Sequence, residues 1–190
     1  MIRIRQATPF DSTALAPLML LAMEEIIYYF IGQNNYQEAI NFLAHHIAKP
    51  GNQYSYEYII VAEEDDVVVG QICLYPGEML EKLREPILTF LQSRYSRHLL
   101  LEQETKAGEV YIDTIAVSVN AQGKGIGKMM LLYAVDRFVK RDKKTLGLLV
   151  DKENPQAKTL YIQLGFKFVE DIHIFEKEME HLQYAPLVLS

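Results

Sequence analysis

The chain has 190 residues, 49% of them hydrophobic and 23% charged, which is typical of one globular domain with a sizeable core and excludes a disordered chain. The 25 acidic residues outnumber the 19 basic ones, which argues against a surface devoted to nucleic acid. Cys73 is the only cysteine, so neither an intrachain disulfide nor a cysteine-based metal site can form.

Two further features of the sequence limit the possible location and chemistry of the protein. Residues 1–12 lack the apolar core of a signal peptide, and charges interrupt the apolar runs before they reach a membrane-spanning length. The five histidines show no ligand spacing. We therefore expect a cytoplasmic protein that binds no metal and has neither a membrane nor nucleic acid among its partners.

Alternating and helical spacings of apolar residues predict the elements along the chain. The expected order is strand 2–7, helices 13–31 and 35–48, strands 56–62 and 67–74, helices 78–94 and 97–104, strand 109–117, helix 125–140, strand 145–150, helix 155–164, and strands 166–175 and 182–189. Pro86 is expected to end or kink its helix. The acidic run 63–66 predicts a solvated hairpin tip. This order predicts a mixed α/β fold around one sheet.

A glycine turn, residues 123–127, joins strand 109–117 to the following helix. Its exposed backbone N–H groups would lie at the positive end of the helix dipole, which favours a phosphate or another anion. The spacing fits neither a P-loop, since Met129 follows Gly127-Lys128, nor a dinucleotide fingerprint, since the sixth position counted from Gly123 is Lys128 and not glycine. A plain strand-to-helix turn remains the alternative.

The flanks resemble the GNAT N-acetyltransferase superfamily in three places. Gln122–Gly127, QGKGIG, is similar to the acyl-CoA pyrophosphate loop, and residues 111–117, YIDTIAV, to the strand before it. Residues 154–166, NPQAKTLYIQLGF, resemble the family's N-x-x-A-x-x-L-Y-x-x-x-G-F helix.

The resemblance implies a single GNAT-like domain over residues 1–190. Its fold would be a central, mostly antiparallel twisted sheet of about six to seven strands flanked by helices. The cofactor cleft would lie where two parallel central strands splay. Residues 109–168 would form the acetyl-CoA-binding core, and residues 76–107 a helical insertion that shapes or covers the acceptor pocket.

The same resemblance names residues that would hold acetyl-CoA. They are Ile115, Ala116, Val117, Gln122, Gly123, Lys124, Gly125, Ile126, Gly127, Lys128, Asn154 and Lys158. Amides of the loop would hold the pyrophosphate, and the strand backbone would pair with the pantetheine arm. For Lys158, a solvated helix position is the alternative.

Three residues are candidates for catalysis. Tyr161 matches the family's general acid, which protonates the departing thiolate, although a core tyrosine is the alternative. The Val117 N–H would stabilise negative charge on the thioester oxygen. Glu109 is the first choice for the base that deprotonates the amine, and Asp113 the second. Both share a face with Tyr111 unless a bulge intervenes. An exposed strand start and a structural hydrogen bond are the alternatives for the two carboxylates.

We therefore expect acetyl transfer from acetyl-CoA to a primary amine by direct attack in a ternary complex. A small or amino-acid-like acceptor is favoured, and acidic and aromatic residues of the first two helices suit a cationic one: Glu24, Glu25, Tyr28, Tyr29, Phe30 and Tyr36. Three alternatives stay open: a protein N-terminus or lysine as acceptor, a longer acyl chain, and an acetyl-CoA-binding sensor without turnover. The last strand would allow a homodimer.

Overall fold

The computed structural model describes residues 1–186, which form a seven-stranded mixed sheet with helices on both faces. The strands are β1 (Ile2–Gln6), β2 (Ile59–Glu64), β3 (Val67–Pro76), β4 (Glu109–Val117), β5 (Thr145–Asp151), β6 (Lys167–Ile174) and β7 (Lys177–Tyr184). Their order across the sheet is β1-β2-β3-β4-β5-β7-β6. Only β4 and β5 pair in parallel among these neighbours. The predicted fold class is confirmed.

Five helices cover the sheet: α1 (Ser12–Ile31), α2 (Tyr36–Ile47), α3 (Leu80–Tyr95), α4 (Ile126–Ala134), which continues as a π-helical stretch Val135–Arg141, and α5 (Pro155–Leu164). Local chemistry sets their ends. The Asn154 side chain caps α5 by accepting from the Ala157 N–H, Pro155 takes the first helical position, and Gly165 ends the helix at a φ of 107°.

The two faces of the sheet bury separate apolar clusters. One lies under α1, α2 and α3 and includes Phe42, Tyr54, Tyr75 and Tyr111. The other lies under α4 and α5. The α1 helix departs from helical geometry at Met23, where φ is −147° and ψ is 32°, so its second half bends relative to the first.

Strand β4 carries a β-bulge at Asp113. Cys73 of β3 lies opposite Thr114, whereas the next residue, Leu74, lies opposite Ile112, so Asp113 is the extra residue. The bulge changes which residues face which side. Ile112 contacts the cluster under α4 before it, and Ile115 contacts that cluster after it.

Several sequence predictions need correction. Residues 97–104 form no helix, and Pro86 lies inside α3 without ending it. The last strand begins at Lys177, not at residue 182, and the predicted part from residue 187 lies outside the described residues. Its start was missed because the run 177–181 is mostly charged.

The first helical region also bears on the membrane expectation. Within residues 1–186, Pro9–Ile31 is the stretch long and apolar enough, by length and composition, to cross a bilayer. Its apolar run is interrupted by Glu24 and Glu25. Half of its most apolar 18 residues are buried inside the fold, as in the core helix of a globular domain.

Candidate acetyltransferase site

A cleft opens where β4 and β5 part. The two strands pair from Glu109 with Thr145 to Ile112 with Leu148, and β4 continues unpaired on that side to Val117. The cleft has a volume of about 480 Å³. It is lined by β4 from Tyr111 to Ile115, by β5 from Leu148 to Asp151, by Met23 and Ile26 of α1, by Asn154, Ala157 and Tyr161 of α5, and by Glu104.

The splayed part of β4 offers backbone groups to this cleft. The Ser118 N–H donates to Val69 O across the β3 side, at 2.8 Å. Because successive strand residues point their amides to opposite edges, the N–H groups of Ile115 and Val117 face the edge that β5 has left. An extended ligand could therefore pair with β4 as an added strand.

The glycine turn has the conformation that the sequence suggests. Gly123 and Gly125 adopt positive φ angles of 78° and 76°, and a Cβ at either would meet no atom within 4 Å. Gly125 is the N-cap of α4, and its cap has no side-chain hydrogen bond. The Met129 N–H makes the bond to Gly125 O at 3.0 Å, so the amides before it are the free donors expected at a helix start. A turn of this geometry is able to hold an anion.

The two loop lysines and Gln122 have different surroundings. Gln122 Nε2 donates to Val117 O at 3.2 Å, which ties the loop to the end of β4. Lys124 Nζ lies 2.8 Å from Glu64 Oε2 on the neighbouring hairpin, with half of its side chain exposed. Lys128 lies in the first turn of α4. Both lysines would add positive charge beside the amides.

Helix α5 forms the opposite wall. Asn154 lines the cleft, and because its oxygen caps the helix, its amide nitrogen remains as a donor. Tyr161 also lines the cleft, with its ring edge-on to Phe166 at 5.8 Å between centroids. Burial raises the pKa of Tyr161, so its hydroxyl stays protonated at neutral pH. Lys158 pairs instead with Glu180 at 2.7 Å, so a phosphate contact there would require breaking this pair.

Asp113, on the bulge, lies at the floor of the cleft. Its Oδ2 atom is shielded from solvent and has no hydrogen-bond partner within residues 1–186. Burial, and then the nearby carboxyl of Glu104, raise the pKa of Asp113 to about 8, against the opposing effects of Arg84 and Gln53. A carboxyl with that pKa exchanges its proton around pH 8, and its ionised form can act as a base.

Glu109 lies four residues earlier in a different setting. Its side chain crosses over Gly147 of β5 to reach β7, where it accepts from Gln183 Nε2 at 2.8 Å and lies 2.9 Å from His181 Nε2. Its other oxygen accepts from the Lys106 N–H at 3.2 Å. Burial alone would raise the pKa of Glu109, but the bonds from His181 and Gln183 outweigh it and hold the pKa below its usual value. The carboxylate is 3% exposed and does not line the cleft.

Comparisons with known proteins agree with this geometry. The Acetyltransferase (GNAT) family profile matches residues 29–166. The chain belongs to the GNAT acetyltransferase family. A solved structure described as an acetyltransferase is 33% identical, with a TM-score of 0.81 over 96% of this chain and 98% of the other. An N-acetyltransferase from Staphylococcus aureus Mu50 is 24% identical, with a TM-score of 0.85 over 96% and 100%, and shares the fold.

Curated relatives match over shorter stretches. A mycothiol acetyltransferase from Renibacterium salmoninarum is 41% identical over 59 residues, 31% of this chain and 17% of the relative. Another from Kytococcus sedentarius is 31% identical over 91 residues, 48% of this chain and 27% of the relative. This acetyltransferase thus aligns with less than a third of the length of these relatives.

Membership makes this an acyltransferase whose family uses acetyl-CoA as co-substrate. The residues of the cleft fit that co-substrate: an anion-binding turn with open space above its glycines adjoins a strand edge that can pair with an extended arm. Within the described residues 1–186, no group of three His, Cys, Asp or Glu side chains is arranged to hold a metal ion.

Sequence reasoning missed three residues near Asp113. Gln53, Arg84 and Glu104 come from segments distant in the chain and match no motif. The one sequence signal was the length of the 76–107 segment, which exceeds a simple connection.

A second cavity of about 540 Å³ joins the cleft at Ile26, Phe175 and Met179. Leu100, Leu101 and Tyr29 add apolar and aromatic surface, and carboxylates stand around it: Glu25, Glu102 and Glu176. Of the helix residues suggested for the acceptor, Glu25 and Tyr29 line this cavity. Phe30 is core at 2% exposure, Tyr36 is 56% exposed, and Tyr28 donates to Glu24 at 2.7 Å.

Proposed function

We propose that this acetyltransferase transfers the acetyl group of acetyl-CoA to the primary amine of a small, cationic acceptor in a ternary complex. The observation that carries the proposal is a cleft beside β4 with a carboxyl of raised pKa at the bulge, together with a glycine turn suited to an anion just beyond the end of the same strand. The adjoining cavity, with its three carboxylates and apolar walls, supports an acceptor that combines positive charge with an apolar part.

The chain's residues divide the work as follows. Bound acetyl-CoA supplies an activated acetyl thioester. The amides of residues 123–128 and Asn154 would bind it, and the Val117 N–H would stabilise charge on the thioester oxygen. A carboxyl on β4 takes the proton that the amine loses as its nitrogen bonds to the acetyl carbon and the carbon–sulfur bond breaks. Tyr161 gives its proton to the sulfur.

For the base, the geometry supports Asp113 over Glu109. Asp113 lines the cleft, whereas Glu109 is enclosed by three donors. An alkyl ammonium has a pKa near 10.4, so a base that accepts its proton at neutral pH is useful.

The mycothiol acetyltransferases named above support a small-molecule acceptor, since their name gives one. Their acceptor cannot be assigned to this chain, because the alignments span only 17% and 27% of their length. The acceptor therefore has to be found by screening amines.

The experiment is a calorimetric titration of acetyl-CoA, followed by a thiol-release screen over mono-, di- and amino-acid amines. Binding with release for a cationic amine supports the proposal. Binding with no release from any amine favours the sensor function instead, and release only with peptide N-termini or lysines favours a protein acceptor. Absence of binding would refute the anion role of the glycine turn.

A pair of variants makes the binding test specific. Gly125→Asp would put a carboxylate at the anion site and should weaken acetyl-CoA binding by at least about 10-fold, since like charges repel. Gly51→Asp is the matched control, because Gly51 has a similar φ of 73° and open space around its Cβ but lies outside the cleft. Equal losses in both variants would show that backbone strain, and not the anion site, is responsible.

A further inference from the structure

The segment between α3 and β4 has no helix, yet buried contacts fix its path. Arg84 Nη1 donates to Glu102 O at 2.9 Å, and Thr105 Oγ1 donates to Gly77 O at 2.6 Å. At Gly77, a Cβ would come within 2.2 Å of Lys106 O, so only glycine permits this close approach. The segment is thus held by hydrogen bonds at Glu102 and Thr105, and it packs closely against Gly77 at Lys106.

This course of the backbone places Glu104 at the cleft. The Arg84 Nη2 group donates to Glu104 Oε1, and the two side chains are 7% and 10% exposed. Gln53 Oε1 lies 3.4 Å from Arg84 Nε, and the Gln53 backbone is itself fixed by its bond to Leu83 O at 2.9 Å. Glu104 is therefore a buried carboxyl with a defined position, in an ion pair with a buried guanidinium.

Asp113 faces the same cluster from β4, and both carboxyls line the cleft. The groups whose electrostatic or hydrogen-bonding effect is coupled to Asp113 are Glu104, Arg84, Gln53, Tyr54, Tyr75, Tyr111 and Cys73. Arg84 is the only one of them that is cationic, so two ionised carboxyls would leave one buried negative charge without compensation. Such a pair retains a proton.

We propose that Arg84 and Glu104 are positioning residues of this acetyltransferase, in which Arg84 fixes Glu104 beside Asp113 and the two carboxyls share one proton at the floor of the cleft. The catalytic role of this shared proton rests on the function proposed above, because the proton matters only if an amine is deprotonated at the cleft. With Glu104 ionised beside Arg84, Asp113 is the member that gains and loses the proton. Burial also raises the pKa of Glu104, and Arg84 opposes that rise.

The test measures Asp113 without relying on turnover. Carboxyl carbons of Asp and Glu are labelled with ¹³C in the full chain, Asp113 is assigned from the signal lost in Asp113→Asn, and its midpoint is followed by NMR. The wild-type midpoint should lie near 8. In Glu104→Gln it should fall by about one unit or more, since a like charge has been removed and Arg84 remains.

Three more variants sharpen the test. Glu104→Asp restores the charge and should return the midpoint toward the wild-type value. Arg84→Met should raise it, although loss of the cation can unfold the chain, so the isosteric Glu104→Gln variant decides. Glu81→Gln removes a negative charge from the exposed first turn of α3 and should leave the midpoint unchanged.

The pH profile of thiol release supplies the functional reading. The acid limb of kcat/KM should move down in Glu104→Gln by the same amount as the NMR midpoint. A wild-type midpoint near the ordinary value of about 4, or one unmoved in Glu104→Gln, would overturn the inference. A midpoint that moves while no amine gives release would uphold proton sharing and refute the proposed function. An acid limb that stays fixed while the midpoint moves would remove the positioning role.

Discussion

The two carboxyl groups of β4, Glu109 and Asp113, have opposite surroundings: one lies in the paired part of the strand and the other at the start of its splayed part. Glu109 lies where β4 pairs with β5, and its oxygens accept from Gln183, the Lys106 N–H and His181. Asp113 lies on the bulge at the start of the splayed end, and its Oδ2 has no partner in the part of the chain described. The pKa of Glu109 is lowered and that of Asp113 is raised to about 8.

The contrast teaches that burial does not by itself decide the role of a carboxyl. Burial favours the protonated form at both positions, and the number of donors then settles the direction. A carboxylate with a full set of donors stabilises the fold in its ionised state. A carboxyl without them, facing a cleft, is free to exchange a proton with a ligand.

The largest effect is expected for Asp113→Asn, which removes the proposed base while keeping its shape. Thiol release measured as kcat/KM at pH 8 should fall about 10²- to 10⁴-fold, as for loss of a general base. Glu109→Gln is the direct comparison. If Glu109 is the base, the larger loss of rate per folded molecule will occur in that variant, and the contrast drawn above will be wrong.

The same substitution at Asp113 should stabilise the protein. Because the folded-state pKa of about 8 lies above the ordinary aspartate value of 3.8, the folded chain binds more protons between those limits and loses stability as pH rises. Asparagine has no such proton to lose. The melting temperature of Asp113→Asn should therefore exceed that of wild type by a margin that grows from about pH 4 to about pH 8, as followed by circular dichroism.

Much of this site can be predicted from the sequence, but the contrast between Glu109 and Asp113 cannot. β4 and α5 have the predicted bounds, and Gly123 and Gly125 of the glycine turn have the positive φ angles that glycine permits. Local patterns specify these features. The bulge at Asp113 depends on pairing with β3, and no local pattern shows it.

Long-range partners explain the rest of what was missed. The side-chain partners of Glu109, His181 and Gln183, lie more than 70 residues away on β7, a strand whose charged first residues were not predicted to be extended. Glu104 reaches the cleft from a segment that forms neither helix nor strand, although residues 97–104 were predicted to be helical. Residues of this kind are placed by tertiary contacts such as Arg84 with Glu102 O.

The next largest effect is expected for Gly147→Ala, which should break the Glu109 arrangement. A Cβ at Gly147 would lie 1.9 Å from Glu109 Oε2, so the carboxylate would have to leave its donors. Displacing a buried, paired carboxylate should cost about 3 kcal/mol of unfolding free energy, measured in urea. In a Glu109→Ala background the same change should cost markedly less, and equal costs in both backgrounds would contradict the proposed contact.

Tyr161→Phe extends the comparison to the opposite wall of the cleft. Loss of the acid should lower kcat about 10²-fold, at the low end of acid–base effects, because a thiol with a pKa near 8.5 is already a fair leaving group. Acetyl-CoA affinity should change little, since only the hydroxyl is lost. A variant with wild-type kcat, or one with weakened acetyl-CoA binding and normal kcat, would show that Tyr161 packs but does not donate.

The smallest effect concerns Glu109 at acid pH, and it separates stability from catalysis. Because its folded-state pKa lies below the ordinary value, its bonds to His181 and Gln183 contribute stability above about pH 4.5 that is lost as pH falls through the folded-state pKa. Glu109→Gln lacks this proton uptake, so the wild-type advantage in urea unfolding, about 1 kcal/mol at pH 7, should shrink below pH 4.5. The thiol-release profile per folded molecule should keep its acid limb near pH 8, since that limb belongs to Asp113. An acid limb that vanishes in Glu109→Gln would instead assign the base to the paired end of β4.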